Sequence, residues 1–196
     1  MAGFSYSRAI PKSFKQERKM DMNEIIKAMK ERRSIRKYKP DMVPKEVIDE
    51  IVEAGLYAAS GHGGQSARII VVTDRETRDR LSAMNCRIGG WQEGFDPFYG
   101  APAVLIVIAD KSHPTYVYDG SLVMGNLMLA AHTLGVGSCW IHRAKQEFES
   151  EEGKALLKKL GIEGDWEGVG HCILGYTDGD VPEPAARQEG RVYHIG

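Results

Sequence analysis

The alternation of helical and strand-like segments along this chain predicts an α/β protein with a doubly wound sheet. Four apolar runs have the length and the β-branched, aliphatic composition of buried strands, and helical patterns separate them. These runs cover residues 68–74, 103–110, 136–142 and 169–176. No linker or internal repeat divides the 196 residues, so the pattern also predicts a single domain over residues 21–196.

The first two helices are predicted from their start signals. Asp21 or Asn23 can cap a helix that ends at Arg32. Pro44 opens a second helix, because proline is favoured in the first helical turn. The apolar residues that follow it recur at the three- and four-residue spacing of a core-facing stripe. They are Ile48, Ile51, Val52, Gly55 and Ala59.

The remaining elements are predicted from periodicity and charge. Residues 77–84 have the pattern of a short helix, and the glycines and prolines of residues 85–102 favour a loop. Residues 116–134 are apolar around nearly the whole helix, as expected in a core or at a subunit interface. A charged helix is expected over residues 147–160, and an extended tail over residues 177–196.

Composition excludes several classes of protein. Lysine and arginine number 26 and aspartate and glutamate 27, so the net charge of −1 argues against nucleic-acid binding. The three cysteines, Cys86, Cys139 and Cys172, are too widely spaced for a disulfide framework or a zinc site and fit a reducing cytoplasm. Cys139 and Cys172 lie in apolar, strand-like runs and are expected to be buried thiols. The longest apolar stretch, residues 122–134, is too short and too polar to span a membrane.

Residues 1–20 are expected to form a basic arm that precedes the domain. They contain five basic residues and one acidic residue, and they lack the continuous apolar run of a secretory signal. This composition fits a loose arm, a clasp for a partner chain or an appended leader.

The highest density of positive charge lies in residues 32–39. Five of these eight residues are basic, and a serine lies among them. Guanidinium groups and a short hydroxyl are donors that hold a phosphate well. In an extended piece, Ser34 and Arg36 would point to the same side. A solvated basic helix end, favoured by the helix dipole, explains the same residues, so the spacing leaves both interpretations open.

Two glycine-rich segments accompany the basic one. Residues 58–66 join a helix to a strand, so they do not form the strand–turn–helix of a P-loop or a Rossmann site. A helix stop followed by a loop explains part of this segment, but three glycines near Ser60 and Gln65 also suit backbone that approaches a planar ligand. The second segment, residues 135–143, places its GxG before a strand, which excludes a dinucleotide fingerprint.

Other catalytic motifs are absent from the sequence. The six histidines show no HExxH or paired helical spacing, so no metal site is assigned. There is no GxSxG nucleophile elbow. Asp119, at the start of the long apolar helix, fits an N-terminal charge or cap better than a catalytic acid. No catalytic residue is therefore assigned.

Taken in order, these segments resemble the FMN-dependent nitroreductase family over about residues 22–196. The ordered set is more specific than any one motif. The matching segments are 32–38 (an RRSxRxY-type motif), 59–67 (an APSxxNxQPW-type loop), 101–102 (Ala-Pro before a strand), 135–141 (a GxGSCWI-type strand) and Gly175-Tyr176 followed by Arg187.

The resemblance implies an α+β fold rather than a doubly wound one. Members of the family have a mixed, mostly antiparallel sheet flanked by helices, and they form homodimers that exchange their C-terminal extensions. It also implies FMN bound at the dimer interface, with NADH or NADPH as reductant. The implied activity is hydride transfer from NAD(P)H and reduction of a nitroaromatic, a quinone or a similar small acceptor by a ping-pong route.

The resemblance also assigns residues to the cofactor. Arg32, Arg33 and Ser34 would hold the phosphate and ribityl end, and Arg187 would complete the phosphate clamp. Arg36 would lie at the pyrimidine edge of the flavin, near N1 and O2, where a cation stabilises the reduced ring. The other assigned residues are Ala59, Ser60, Gly61, Gly63 and Gln65 in the second motif, and Trp140, Ile141, His142 and Arg143 after the third.

In this scheme, Ser60, Gly61 and Gly63 come from the other subunit, and residues 140–143 pack under the ring with backbone donors toward O4 and N5. Gly63 replaces an asparagine of the family motif, so the flavin edge would be contacted by Gln65 or by Asn85 in the variable loop. His142-Arg143 replaces acidic or glycine residues that many members carry, which adds positive charge and leaves the substrate open.

Two rival functions remain compatible with these motifs. One is a specialised flavin enzyme of the same fold, either dehalogenating or flavin-fragmenting, in which residues 85–100 would form the lid. The other is a non-enzymatic flavin carrier.

Overall fold

The computed structural model describes residues 23–196, so the basic arm and the alternative cap Asp21 lie outside the described residues. This part of the chain contains six α-helices and four strands, with one 3₁₀ turn at Gly61–Gly63. In chain order they are α1 Glu24–Glu31, α2 Lys45–Leu56, β1 Ala67–Val72, α3 Arg75–Gly89, β2 Ala103–Asp110, α4 Tyr116–Thr133, β3 Gly137–Ile141, α5 Ala144–Glu149, α6 Glu151–Lys159 and β4 Trp166–Gly175.

The four strands form one sheet in the order β1-β2-β4-β3, and each neighbouring pair is antiparallel. The α+β fold implied by the resemblance is therefore confirmed, and the doubly wound prediction is wrong. Val72 at the end of β1 pairs with Val104 near the start of β2, so α3 and the loop after it return the chain to the same end of the sheet. A helix can connect two strands that run parallel or two that run antiparallel, so the alternation of helices and strands does not predict strand direction.

The sheet is covered on both faces, which explains the uninterrupted apolar sequence of β2. Alternate residues point to opposite faces of a strand. Val104, Ile106 and Ile108 join one buried cluster with α3, α5 and α6, while Leu105 and Val107 join the other with α2 and α4. Both sets are fully buried, and β2 with β4 forms the centre of the core.

Most predicted elements are present, and three of the predictions need correction. The Asn23 side chain caps α1 by accepting from the Ile25 N–H at 2.9 Å, and α2 follows Pro44 as expected. Helix α3 extends to Gly89 rather than ending near residue 84, because Gly90 provides the left-handed cap, with φ 68°. The predicted helix 147–160 is divided at Ser150, whose side chain caps α6.

The third correction concerns Ala59, which is exposed beyond the end of α2 and does not join the core stripe. All three cysteines are buried free thiols, as predicted for Cys139 and Cys172, and burial raises the pKa of Cys172 to about 12. Within residues 23–196, no helix is long and apolar enough to cross a membrane, and no cluster of three or more potential metal ligands occurs.

Candidate functional site

The basic segment after α1 lies against the edge strand β3. The Ile35 N–H donates to the Ser138 carbonyl at 2.9 Å, and Ser34 forms a parallel bridge with Ser138. Ile35 and Tyr38 are buried, and the Tyr38 hydroxyl donates to the Ile35 carbonyl at 2.7 Å. Burial raises the Tyr38 pKa, so this hydroxyl stays protonated. Two buried side chains thus fix the segment, while the exposed Arg36 lies between them in sequence.

Two glycines make this close approach possible. A Cβ on Gly137 would lie 2.9 Å from Thr177 Oγ1 and 3.1 Å from Ile35 Cγ1. A Cβ on Gly175 would lie 2.8 Å from Tyr38 Cδ1. These distances are shorter than carbon packing allows, so the second glycine of the GxG and the late Gly-Tyr serve the packing of the basic segment.

The end of α1 and the start of β3 hold three buried polar atoms without partners among the described residues. They are Arg32 Nη1, Arg33 Nε and Ser138 Oγ. Arg33 Nη1 does cap α1, since it donates to the carbonyls of Lys30 and Arg32 at 2.6 and 2.7 Å, so the helix-end interpretation holds for part of this side chain. A buried donor without an acceptor costs about 1–3 kcal/mol. Two arginine N–H groups and a hydroxyl in this state fit an anion such as a phosphate.

The second motif is organised by Asp119, at the start of α4. The Gly61 N–H donates to Asp119 Oδ1 at 3.0 Å, and Ser66 Oγ donates to Oδ2 at 2.7 Å. Thr115 Oγ1 donates to the same oxygen at 3.2 Å, and the Gln65 N–H donates to Ser60 Oγ at 3.0 Å. The carboxylate therefore holds both ends of the loop, which keeps it compact beside the start of β1.

The environment of Asp119 keeps it ionised. Burial raises the pKa of this carboxyl, but the hydrogen bonds from Ser66, Gly61 and Thr115 outweigh burial and hold the pKa below its usual range. A carboxylate that is fully engaged in this way cannot serve as a proton donor near neutral pH. Asp119 is thus a structural acceptor that holds the glycine loop against the start of α4.

The basic segment and the glycine loop lie at diagonally opposite corners of the sheet. Ser138 pairs with Leu174, which pairs with Ala103 at the start of β2, whereas Ala67 pairs with Ala109 near its end. Six residues along a strand correspond to about 20 Å, and three strand spacings to about 14 Å, so the corners are about 24 Å apart. Both segments of one chain therefore cannot contact the same flavin ring.

The turn after β3 is held by a buried network. Asn85 Nδ2 donates to the His142 carbonyl at 2.8 Å and to Glu147 Oε1 at 2.6 Å. Glu147 Oε2 lies 2.9 Å from His171 Nε2, and all three side chains are fully buried. Arg143, with φ 81°, occupies left-handed backbone space, which costs a non-glycine residue about 1–3 kcal/mol. The network stabilises that strained turn.

This position corrects the assignment of Asn85 to a variable loop. Asn85 lies in the fourth turn of α3 because the helix is longer than predicted, and its side chain is fully buried. It contacts the backbone of His142 rather than solvent. Asn85 therefore acts on the turn that carries His142 and Arg143, and it does not line an open cleft.

The loop between α3 and β2 is anchored by Asp96. Its carboxylate accepts from Arg78 Nη2 at 2.5 Å and from Ser82 Oγ at 2.5 Å. It also accepts the N–H groups of Phe98 at 2.9 Å and Gly100 at 2.7 Å. Burial raises the Asp96 pKa, but the bonds from Arg78, Ser82 and Gly100 prevail and hold it below its usual range. Asp96 thus ties residues 85–100, which would form the lid of a specialised enzyme, to α3 through Arg78 and Ser82.

The other assigned residues divide between the two corners of the sheet and the tail. Trp140 is half-buried and Ile141 buried, and a Cβ on Gly170 would lie 2.5 Å from Trp140 Nε1. His142 is exposed at the end of β3. Gly63 and Gln65 are exposed on the glycine loop with φ 68° and 48°. Arg187 lies in the exposed tail, and no hydrogen bond or ion pair within residues 23–196 joins it to the basic segment.

Four residues of these sites were not assigned from the sequence as site residues. Ser138 lies inside the third motif and was treated as part of a strand. Glu147 and His171 lie 24 residues apart in chain order and give no local signal. Asp96 lies in a segment whose glycine and proline content predicts only a loop. Their roles depend on contacts between separate elements, which only a structure reveals.

The chain is similar to known proteins over most of its length. The nitroreductase family model matches residues 29–86 and 90–176. A relative from Archaeoglobus fulgidus, named NADH dehydrogenase/NAD(P)H nitroreductase, is 34% identical over 149 residues, which is 72% of this chain and 78% of the relative. One of the same name from Methanothermobacter thermautotrophicus is 33% identical over 131 residues, and this match spans 62% of each protein, less than two thirds of the relative.

The fold of the chain is similar to that of a solved structure. The structure of a nitroreductase with bound FMN from Bacteroides fragilis superposes with a TM-score of 0.82 at 26% identity. The superposition covers 89% of this chain and 100% of that one.

Proposed function

The chain belongs to the nitroreductase family, and from that premise we propose that it is an NAD(P)H-dependent FMN oxidoreductase. The FMN of the Bacteroides fragilis structure and the NAD(P)H nitroreductase names of the relatives support this proposal. The acceptor is a nitroaromatic, a quinone or a similar small molecule, and donor and acceptor use the same cleft in turn. A cytoplasmic location stays a prediction.

One observation carries the proposal. Arg32, Arg33 and Ser138 present buried donors without partners at one corner of the sheet, among the described residues. Charge-assisted hydrogen bonds to a phosphate would satisfy all three. The residues present thus fit the phosphate of FMN, and Ser34, which bridges to Ser138, is placed to contribute its hydroxyl.

The other residues are proposed to act on the flavin ring. When bound, FMN supplies the two-electron transfer between NAD(P)H and the acceptor. Arg36, which is exposed and forms no ion pair within residues 23–196, provides positive charge where negative charge develops during reduction. The N–H groups of His142 and Arg143, which donate to no backbone carbonyl in the described structure, are available to flavin acceptors. The half-buried Trp140 is proposed to pack beneath the ring, and Ile141, buried on the other face of the sheet, fixes the end of β3.

The glycine loop is proposed to act on the flavin of a second copy of the chain. The separation of about 24 Å between the two corners supports a site built from two subunits, with Ala59, Ser60, Gly61, Gly63 and Gln65 supplied by the partner. Helices α1 and α2 pack on α4 and leave large apolar side chains exposed, which supports a homodimer interface there. These side chains are Ile25, Ile26, Met29, Leu56, Tyr118 and Leu122.

The exposed tail of residues 177–196 is proposed to cross to the partner and to bring Arg187 to its phosphate. The tail begins beside the basic segment, since the Asp178 N–H donates to the Lys37 carbonyl at 3.0 Å. Beyond that point the tail carries exposed apolar residues, among them Val192 and Tyr193. Exposed apolar side chains on an extended tail suit a contact with another subunit.

Titration of the flavin-free protein with FMN and with riboflavin tests the phosphate site. We expect FMN to bind more tightly than riboflavin, and Arg32→Gln to weaken FMN binding by about ten- to a hundredfold with little change for riboflavin. Arg75→Gln, which removes an exposed arginine at the start of α3, is the matched control. Protein that stays colourless with FMN, or an Arg32→Gln variant that weakens both ligands equally, would contradict the proposal.

Reduction of the bound flavin distinguishes an oxidoreductase from a non-enzymatic carrier. An oxidoreductase loses its flavin absorbance near 450 nm with NADH or NADPH under nitrogen and regains it with an acceptor, whereas a carrier does neither. The specialised enzymes require a segment that closes on the substrate, and the anchoring of Asp96 to Arg78 and Ser82 argues against large movement of residues 96–100. No observation favours either alternative.

A further inference from the structure

The side chain of Arg143 has an unusual position beside the proposed flavin site. Its guanidinium lies 4.3 Å from the ring centroid of Trp91, in cation–π contact. Within residues 23–196, the guanidinium makes no hydrogen bond and no ion pair, so its N–H groups remain free to bind a ligand. Its position depends on a left-handed backbone, which the protein maintains although most residues avoid it.

The strained turn is held in place from two directions. Asn85 donates to the His142 carbonyl at 2.8 Å, and the Glu147 N–H donates to the Arg143 carbonyl at 3.0 Å. Asn85 and Glu147 are themselves hydrogen-bonded at 2.6 Å in the core. Strain that the surrounding structure maintains in this way is found mostly at functional sites.

The aromatic partner is also fixed in place. Trp91 directly follows the left-handed Gly90 that ends α3, and its backbone N–H donates to the Cys86 carbonyl at 3.2 Å. A Cβ on Gly89 would lie 2.5 Å from the Trp91 ring, so a glycine is needed where the indole lies over the helix end. The Phe95 ring lies 5.2 Å from Trp91 between centroids, and both rings remain about 40% exposed: 40% for Trp91 and 42% for Phe95.

We propose that Arg143, held against Trp91, selects flat aromatic electron acceptors that carry a carboxylate. This inference rests on the proposed function and names the substrate class of the same site. The exposed aromatic rings suit a planar acceptor, and the free guanidinium suits its carboxylate, which it binds in two parallel hydrogen bonds. Trp91 fixes the guanidinium and so reduces the entropy that binding would cost.

The reaction that this site would serve is balanced for a nitroaromatic acid. NAD(P)H and one proton supply two electrons and two protons, the nitro group loses one oxygen as water, and the products are the nitroso acid and NAD(P)⁺. Arg143 neither donates nor accepts a proton in this scheme, because a guanidinium remains protonated throughout. Its side chain determines specificity by binding the substrate carboxylate, whereas its backbone N–H belongs to the proposed flavin contact.

The test compares 4-nitrobenzoate with its methyl ester, which has the same ring and nitro group without the charge. The measured quantity is the ratio of kcat/KM for the acid to kcat/KM for the ester, so effects on flavin binding or reduction that are common to both acceptors cancel. We expect Arg143→Gln to lower this ratio about tenfold. Trp91→Leu is expected to lower it less, and the control Arg75→Gln to leave it unchanged.

Binding of benzoate to the oxidised holoprotein, followed by perturbation of flavin absorbance, gives a readout without turnover. The wild-type protein is expected to bind benzoate more tightly than benzyl alcohol, and Arg143→Gln to abolish that difference. An unchanged acid-to-ester ratio in Arg143→Gln, with normal flavin absorbance and NADH bleaching, would overturn this inference and leave the oxidoreductase proposal intact. A variant that changes the NADPH-to-NADH preference instead would place Arg143 on the coenzyme and would also overturn it.

Discussion

Replacing Asp119 with asparagine or alanine separates the two properties of its carboxylate, charge and hydrogen bonding. Asparagine keeps the shape, and its amide oxygen can accept the Gly61 N–H while its Nδ2 donates to Ser66 Oγ. The contacts therefore remain, but the charge and the acceptor for the Ser66 hydroxyl proton are lost. Alanine removes all the bonds that the carboxylate accepts from Gly61, Ser66 and Thr115. The free energy of unfolding is expected to fall from wild type to Asp119→Asn and further to Asp119→Ala.

The structure sets the size of these steps. A hydrogen bond to a charged group contributes about 1.5–3 kcal/mol and a neutral one about 0.5–1.5 kcal/mol, so Asp119→Asn is expected to cost about 1–2 kcal/mol. Asp119→Ala leaves the hydroxyl of Ser66, a residue only 2% exposed, without its acceptor, and it also frees the Gly61 N–H. We expect a cost of about 3–5 kcal/mol.

Urea unfolding of each variant measures these costs. Asp74→Asn is the matched control, because Asp74 caps α3 on the surface and asparagine caps a helix equally well, so less than about 0.5 kcal/mol is expected. FMN titration of the same variants reports on the site. We expect Asp119→Ala to weaken FMN binding, because Gly61 and Ser60 lose their anchor.

The pH dependence provides a second measurement with a definite sign. The folded pKa of Asp119 lies below its unfolded value of 3.8, so its contribution is present above that value and is lost as pH falls through the folded pKa. The stability difference between wild type and Asp119→Asn is therefore expected to be constant from pH 5 to 7 and to shrink below about pH 4. A difference that grows on acidification would refute the reasoning, as would equal costs for Asp119→Ala and Asp74→Asn.

Two other predictions follow from the contacts. If each flavin site takes residues from two subunits, co-expression of Arg32→Gln and Gly61→Ala chains should restore about one quarter of the wild-type FMN sites. Half of the dimers are then mixed, and each mixed dimer has one intact site. FMN binding no greater than in either variant homodimer would contradict this. Asn85→Ala should lower the free energy of unfolding in urea by about 2–4 kcal/mol and weaken FMN binding, since the His142 carbonyl and Glu147 lose a buried donor. A cost below about 0.5 kcal/mol would show that the turn does not depend on Asn85.

The predictable part of the fold is the part that local chemistry determines. Pro44 and Asn23 identify helix starts, and the apolar run 103–110 matches β2 residue for residue. The paired glycines Gly89 and Gly90 predict a loop, whereas α3 continues to Gly89 and Gly90 alone provides the left-handed cap. Local pattern locates elements well and their ends less well, because ends depend on which carbonyls find a partner.

The candidate site was predictable to a similar degree. Charge density identified the basic segment but left two interpretations open, and the family resemblance assigned its residues to a phosphate. The unpartnered donors occur at two of those residues, Arg32 and Arg33. Ser138 and Trp91 were not assigned, because a serine in a strand and a tryptophan in a loop have no distinctive local pattern. Asn85 was assigned for the wrong reason, since its amide supports the turn at His142 from within the core.

The sequence by itself determined where the elements lie, which segments concentrate positive charge and glycine, and, through the order of its motifs, the family. Only the tertiary structure decided strand direction, the separation of the basic segment from the glycine loop, and the contacts of Asp119, Glu147 and Arg143. The physical reason is that periodicity, capping and charge are properties of neighbouring residues. Register and buried hydrogen bonds join residues far apart in the chain, and their energies depend on burial that no local pattern contains.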